Sequence, residues 1–335
     1  MLLRLLQDTR TAVAVLGLGL VAIALSVIAV PKTRRAAARA ERVQEIHNDE
    51  PGRAPGPEPG AGPGPEPGAG PGSEPGLEPG AGPGVVPPQG LVELRGVEFR
   101  CSGTGLPVLQ NIDLVAGPGE IVAVTGAAGS GKSTLLQLIR RLFDAREGQV
   151  LINGVNVRDL APGRLAEIVG YVPQKAFLFG GTIGANLRYG RLDATDAELW
   201  HALDIAQGTG FVAGLLQGLE TEIPEGGAGL PDGHRQRLAI ARALVQRPEI
   251  YLFDDVFASL DHITDAALRA ALAAETEDAT VIIAARRIGT IRHADRIVVL
   301  DRGRIAGIGT HDELMAENGV YRRAAQSQLG ERQAK

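Results

Sequence analysis

The sequence predicts an α/β domain with a buried strand feeding a glycine-rich loop and a helix, preceded by one membrane-spanning helix and a disordered linker. Three observations predict it. The apolar run Ile121-Val122-Ala123-Val124-Thr125 leads directly into a loop with three glycines and then into a helical pattern over Leu135–Leu142. A second apolar strand, Ile250-Tyr251-Leu252-Phe253, ends in Asp254-Asp255. The first ninety residues break sharply in composition, from apolar to basic to Pro/Gly-rich.

The bulk numbers narrow the chemistry. A chain of 335 residues, 44% hydrophobic, has ample material for one or two cores. Its net charge of -5 gives no reason to expect a nucleic-acid partner. One cysteine, Cys101, excludes a disulfide framework within the chain. Six histidines are scattered without metal-ligand spacing, which argues against a zinc-type centre.

Residues Thr11–Val30 are apolar or small throughout, and about 20 such residues span a bilayer. Lys32, Arg34, Arg35, Arg39 and Arg42 follow, while the near side carries only Arg4 and Arg10, offset by Asp8. The positive-inside rule then places the C-terminal side in the cytoplasm. A cleaved signal peptide is the rival reading, but the run is long and lacks a clear cleavage pattern. The expected organisation is a transmembrane anchor over 1–31, a basic juxtamembrane segment over 32–50, a linker over 51–90 and a folded domain over 91–335. In the linker, P-E-P-G-A-G-P-G stands at 57–64 and again at 65–72, and L-E-P-G-A-G-P-G at 77–84. Such repeats offer no apolar face to bury and predict disorder or polyproline II, a spacer of roughly 35 Å on average.

The loop after the first strand is Gly126-Ala127-Ala128-Gly129-Ser130-Gly131-Lys132-Ser133-Thr134. Glycines at these positions let backbone N–H groups converge on a phosphate, Lys132 reaches the β- and γ-phosphates, and Ser133 can ligate Mg²⁺. Strand before and helix behind supply the context this phosphate-binding motif requires. In such proteins the strand ending in Asp254-Asp255 lies beside the loop. Asp254 then helps hold Mg²⁺, and Asp255 stands where a general base would be needed.

A further helix is expected from Arg235 onward, with Leu238, Ala241 and Leu244 at helical spacing. Ahead of it, Leu230-Pro231-Asp232-Gly233-His234 is shaped like a helix start, with Asp232 as the expected N-cap. A helix start of this kind can hold a phosphate, unless Asp232 has taken the phosphate's place.

With these motifs in order, residues 91–328 resemble the nucleotide-binding domain of ABC transporters of the exporter type. Tyr171-Val172-Pro173-Gln174, followed by Phe177-Leu178-Phe179, resembles the family's Q-loop, and Gln174 is then implied as a further Mg²⁺ ligand and catalytic residue. Residues 230–237 occupy the signature region, and Ala258-Ser259-Leu260-Asp261 the D-loop. Ala294–Ile305 and Gly309–Leu314 match the closing hairpin and helix. The resemblance implies a P-loop NTPase core of ABC type with a helical subdomain inserted at about 176–244. It also implies ATP with Mg²⁺, and a dimer with a second such domain, identical or not. Each ATP lies between one chain's phosphate loop and the other's signature, where Gly233 is left to offer an amide. A membrane domain supplied in trans completes the assembly.

Departures from the family pattern are informative. The usual L-S-G-G-Q reads here as Leu230-Pro231-Asp232-Gly233-His234: Pro231 has neither hydroxyl nor N–H, and Asp232 brings a negative charge. Asp255 stands where glutamate is usual and is shorter by one methylene. Arg286 aligns with the switch histidine; a guanidinium accepts no hydrogen bond but can pair with a γ-phosphate. Cys101 aligns with the aromatic residue that stacks on adenine. Together these predict ATP binding with weak or lost hydrolysis. Two functions follow: the ATP-binding subunit of an exporter working with other chains, or a membrane-anchored, catalytically impaired pseudo-ATPase that regulates a partner.

Overall fold

The computed structural model describes residues 89–100 and 107–333, with side chains as far as Gln328. The predicted anchor over 1–31, the basic segment, the linker up to 88 and Cys101 lie outside the described residues. Among the described residues no helix is long and apolar enough to cross a membrane.

In chain order the elements are β1 (Val92–Arg100), β2 (Pro107–Ala116), β3 (Ile121–Gly126), α1 (Lys132–Ile139), β4 (Glu147–Ile152), β5 (Val155–Asn156), α2 (Pro162–Ile168) and β6 (Val169–Val172). The middle of the chain gives β7 (Gly181–Thr182), α3 (Ile183–Arg188), α4 (Asp196–Ile205), α5 (Thr209–Ala213), β8 (Glu222–Ile223) and α6 (Asp232–Gln246). Then come β9 (Ile250–Asp254), α7 (His262–Glu275), β10 (Thr280–Ala284), α8 (Ile288–Ile291), β11 (Arg296–Asp301), β12 (Arg304–Gly309), α9 (His311–Glu317) and α10 (Gly319–Gln333).

Among the described residues, six strands form the central sheet in the order β12-β11-β3-β10-β9-β6. All neighbours are parallel except the β11–β12 hairpin. Strands β9 and β10 are buried at every residue, as expected of a parallel sheet covered on both faces. Their register pairs Ala284 with Asp254 and with Val124, which sets the C-terminal ends of β3, β9 and β10 side by side. Ligands in open α/β sheets bind at that edge. A second sheet, β2-β1-β4-β5, is antiparallel.

Two apolar clusters hold these layers. One joins the antiparallel sheet to α1 and one face of the parallel sheet through Leu94, Ile112, Leu135 and Ile282. The other carries the insertion: Leu187, Leu199, Leu203 and Leu238 from α3, α4 and α6 pack with Phe253 and Phe257. The helical subdomain expected at 176–244 is therefore present as α3–α6, with the short β7–β8 pair at its base. Helix α4 starts cleanly because Thr195 and Glu198 form a reciprocal capping box.

Candidate functional site

Strand β3 delivers the chain into the glycine-rich loop in backbone conformations that side chains resist. Gly126 has φ +150°, and a Cβ there would lie 2.2 Å from Leu300 O. Gly131 has φ +104° and packs against Leu109, where a Cβ would meet Cδ2 at 2.6 Å. Gly131 is the N-cap of α1 and no side chain caps this helix, so nothing of that kind competes for its first-turn amides. The Lys132 ammonium folds back over the loop, donating to Gly126 O and Ala127 O at 2.9 Å each and more loosely to Ser130 Oγ at 3.4 Å. Burial lowers its pKa; Asp255 and Asp254 oppose that shift, while Arg286 adds to it. A phosphate, with several oxygens, is a better partner for this ammonium than two carbonyls.

Asp254 is buried at the end of β9. Ser133 Oγ donates to its Oδ1 at 2.9 Å and Tyr171 OH to its Oδ2 at 3.2 Å. Burial raises the Asp254 pKa, against the pull of these two hydrogen bonds. The Tyr171 hydroxyl is itself pushed up to about 12 by burial and by the Asp254 carboxylate. Its ring lies 4.4 Å from the Arg140 guanidinium. A hydroxyl and a carboxylate this close form a hard-oxygen pair suited to Mg²⁺, which takes few protein ligands and relies on substrate phosphates for others.

Asp255 is the first residue past β9 and has φ 49°, a left-handed conformation that aspartate tolerates better than most residues. Its N–H donates to Ala284 O at 2.7 Å, tying it to the end of β10. Arg286 Nε donates to Asp255 Oδ2 at 3.0 Å, and Gln174 Nε2 to the same oxygen at 3.3 Å. Gln174 thus presents its amide nitrogen to Asp255 and hydrogen-bonds this acid, not the Ser133–Asp254 pair. Ser133 meets Asp254, and Gln174 and Arg286 meet the adjacent Asp255, at the C-terminal edge of the sheet where Lys132 covers the glycine-rich loop. Tyr171 belongs with them, although the sequence reading gave it no role.

The signature region corrects one expectation. Helix α6 begins at Asp232, three residues before Arg235, and its N-cap is Pro231, with no side-chain cap. Pro231 has ψ 150°, so its extended carbonyl receives the N–H groups of His234 (3.0 Å) and Arg235 (3.1 Å). Asp232 already lies inside the first turn, where its carboxylate cannot reach back as a cap. It pairs instead with Arg235 one turn along. His234 stacks on Phe211 at 4.1 Å and 13°, and the Arg237 guanidinium lies 4.9 Å from the same ring. Burial and then Arg237 hold the His234 pKa below its usual value. A Cβ on Gly233 would lie 3.3 Å from Ser259 O, so the signature abuts the D-loop of its own chain. Among the described residues, no hydrogen bond or ion pair joins 230–234 to the phosphate-loop cluster.

The chain is similar to known proteins over most of its described residues. The family description "ABC transporter" matches residues 109–258. An uncharacterized ABC transporter ATP-binding protein of Mycobacterium tuberculosis is 46% identical over 242 residues, 71% of this chain and 41% of that protein. A Staphylococcus aureus protein named for multidrug export as an ATP-binding/permease protein is 40% identical over 233 residues, 70% of this chain and 40% of that one. The solved structure of a bacterial Atm1-family ABC exporter with ATP bound superposes with a TM-score of 0.70 at 36% identity, covering 74% of this chain and 43% of that chain. The chain spans about two-fifths of the length of these relatives. None of these names supports the regulatory pseudo-ATPase alternative. Residues 109–258 match the ABC transporter family, and exporter-type proteins are neighbours of the described domain in sequence and structure.

Proposed function

We propose that the chain is the ATP-binding subunit of an exporter-type ABC transporter, coupling ATP binding to transport by a membrane domain supplied in trans. The observation that carries this reading is the convergence of Lys132, Ser133, Gln174, Asp254, Asp255 and Arg286 around one glycine-rich loop. Backbone amides from Gly126 to Thr134 and the Lys132 ammonium receive the phosphates. Ser133 and Asp254 hold Mg²⁺, whose charge would offset that of the phosphate oxygens. Asp255 is the base for the attacking water, and Gln174 orients it. A second domain of this type, identical or not, contributes its Gly233 amide across the dimer. Cys101 aligns with the adenine-stacking position and brings no aromatic ring. The anchor over 1–31, the basic segment over 32–50 and the linker over 51–90 tether the ATP-binding domain to the cytoplasmic face.

Hydrolysis is expected to be weak. Asp255 already gives its Oδ2 to Arg286 and Gln174, which keeps that oxygen from the attacking water. The signature presents Pro231 and Asp232 where a hydroxyl and a bare amide would serve a partner's γ-phosphate better.

A membrane partner has a surface to meet. Phe177, Phe179 and Tyr189 are exposed and touch one another, with centroids 5.5 and 4.6 Å apart. Tyr189 also lines a cleft of about 1150 Å³ with Arg140, Arg141, Arg158 and Arg191. Exposed aromatics beside an arginine-lined cleft suit a protein helix with apolar and acidic residues.

Calorimetric titration of the full chain with Mg-ATP tests the proposal. Binding that is lost in Lys132→Ala is the expected result; equal affinity in that variant would remove the site.

A further inference from the structure

Beyond β10 the chain passes through Ala285, Arg286 and Arg287 before α8 begins at Ile288. The Ala285 N–H still belongs to the sheet edge, donating to Val124 O at 3.0 Å. Past that point the connection needs other partners for its backbone groups. One side chain of the C-terminal helix supplies two of them. Gln328 Nε2 donates to Arg286 O at 2.8 Å, and Ile288 N–H donates to Gln328 Oε1 at 2.9 Å. A primary amide offers a donor and an acceptor side by side, as a neighbouring strand would. The two bonds bracket Arg287 and fix the backbone on both sides of it.

With the backbone held, the two arginine side chains tie the connection to the segment after β9. Arg286 Nε reaches Asp255 Oδ2 at 3.0 Å. Arg287 donates to Ala258 O at 2.7 Å and to Leu260 O at 3.3 Å, in the D-loop. Docking of α10 has its own anchors. Tyr321 and Ala325 are buried in the core one turn apart, and Tyr321 OH lies 2.8 Å from His311 Nδ1. Gln328 continues that face by one further turn and spends its amide on the connection.

We propose that Gln328 is a positioning residue whose amide fixes the 286–288 connection, so that the Arg286 guanidinium faces Asp255 and the terminal phosphate of bound nucleotide. This rests on reading the site as an ATP site. It assigns a role in sensing the third phosphate to a residue 42 positions away in sequence and outside every motif.

The test compares affinities for Mg-AMP-PNP and for ADP, by calorimetry on the full chain. The variants are Gln328→Ala, Gln328→Glu, Arg286→Ala and the double variant Gln328→Ala/Arg286→Ala. Gln328→Ala should weaken AMP-PNP binding about fivefold and leave ADP unchanged. Gln328→Glu should behave alike, because it keeps the acceptor for Ile288 N–H but sets a carboxylate against Arg286 O. Arg286→Ala should cost about tenfold, and Gln328→Ala should add nothing in that background. Equal losses in both backgrounds, equal losses for ADP, or no loss at all would overturn the role and leave Gln328 a helix-docking residue. If the unmodified chain binds neither nucleotide, the ATP reading itself falls, and this inference with it.

Discussion

Arg286 Nε lies 3.0 Å from Asp255 Oδ2, and an exposed guanidinium thereby closes over a carboxylate that is 9% exposed. Asp255 follows strand β9 and Arg286 follows strand β10, so the register of the two strands brings the pair together. The carboxylate accepts from the guanidinium. A guanidinium engaged by Asp255 would have to be shared with any phosphate oxygen that reached it.

The first consequence concerns the base. If residual phosphate release depends on Asp255, Asp255→Asn should lower it by about a hundredfold or more, the usual range for losing a general base. An unchanged rate in this variant would take Asp255 out of the chemistry.

Lys132→Ala should weaken Mg-ATP binding at least about tenfold, because hydrogen bonds from a charged donor to phosphate are among the strong ones. Thermal stability should change little, since in the free protein the ammonium serves only the loop's own carbonyls and Ser130. A large stability loss with unchanged affinity would contradict the assignment.

Asp254 gives a prediction of opposite signs for stability and function. Its folded pKa is raised, chiefly by burial, so its contribution to stability is complete only below the unfolded value and is lost as pH rises through the folded one. At neutral pH the ionised group is therefore a cost to the fold. Asp254→Asn should raise the melting temperature of the nucleotide-free protein and flatten its pH dependence in the acid range. The same variant should lose the Mg²⁺ dependence of ATP binding. Melting curves with and without Mg-ATP measure both effects.

Cys101→Tyr should strengthen ATP over GTP, by around tenfold for ATP, if a ring at that position stacks on adenine. Competition titration with the two nucleotides checks this, and no gain would mean that the base is held elsewhere.

The chemistry-bearing core was largely legible in the sequence because each part is local. A strand, a glycine loop and a helix in succession, or a strand ending in two acids, need no tertiary information to be recognised. The start of α6 was not legible, because a proline with an extended ψ moved the cap one residue upstream of Asp232. Tyr171 was missed because an aromatic residue in a strand ordinarily signals core, and only the fold shows its hydroxyl 3.2 Å from Asp254. Gln328 carries no signal in the sequence. It is one polar residue in a polar helix, and its role exists only where α10 meets the connection after β10.

Single-turnover phosphate release from bound Mg-ATP measures whether the proposed site binds ATP without cleaving it efficiently. The full chain should bind nucleotide and release most of it intact. Pro231→Ser, Asp232→Gly, Asp255→Glu and Arg286→His introduced together should give Mg²⁺-dependent release well above that background, while Asp255→Glu alone should not. Rapid release by the unmodified chain would contradict the account and make Asp255, paired with Arg286, a competent base as it stands.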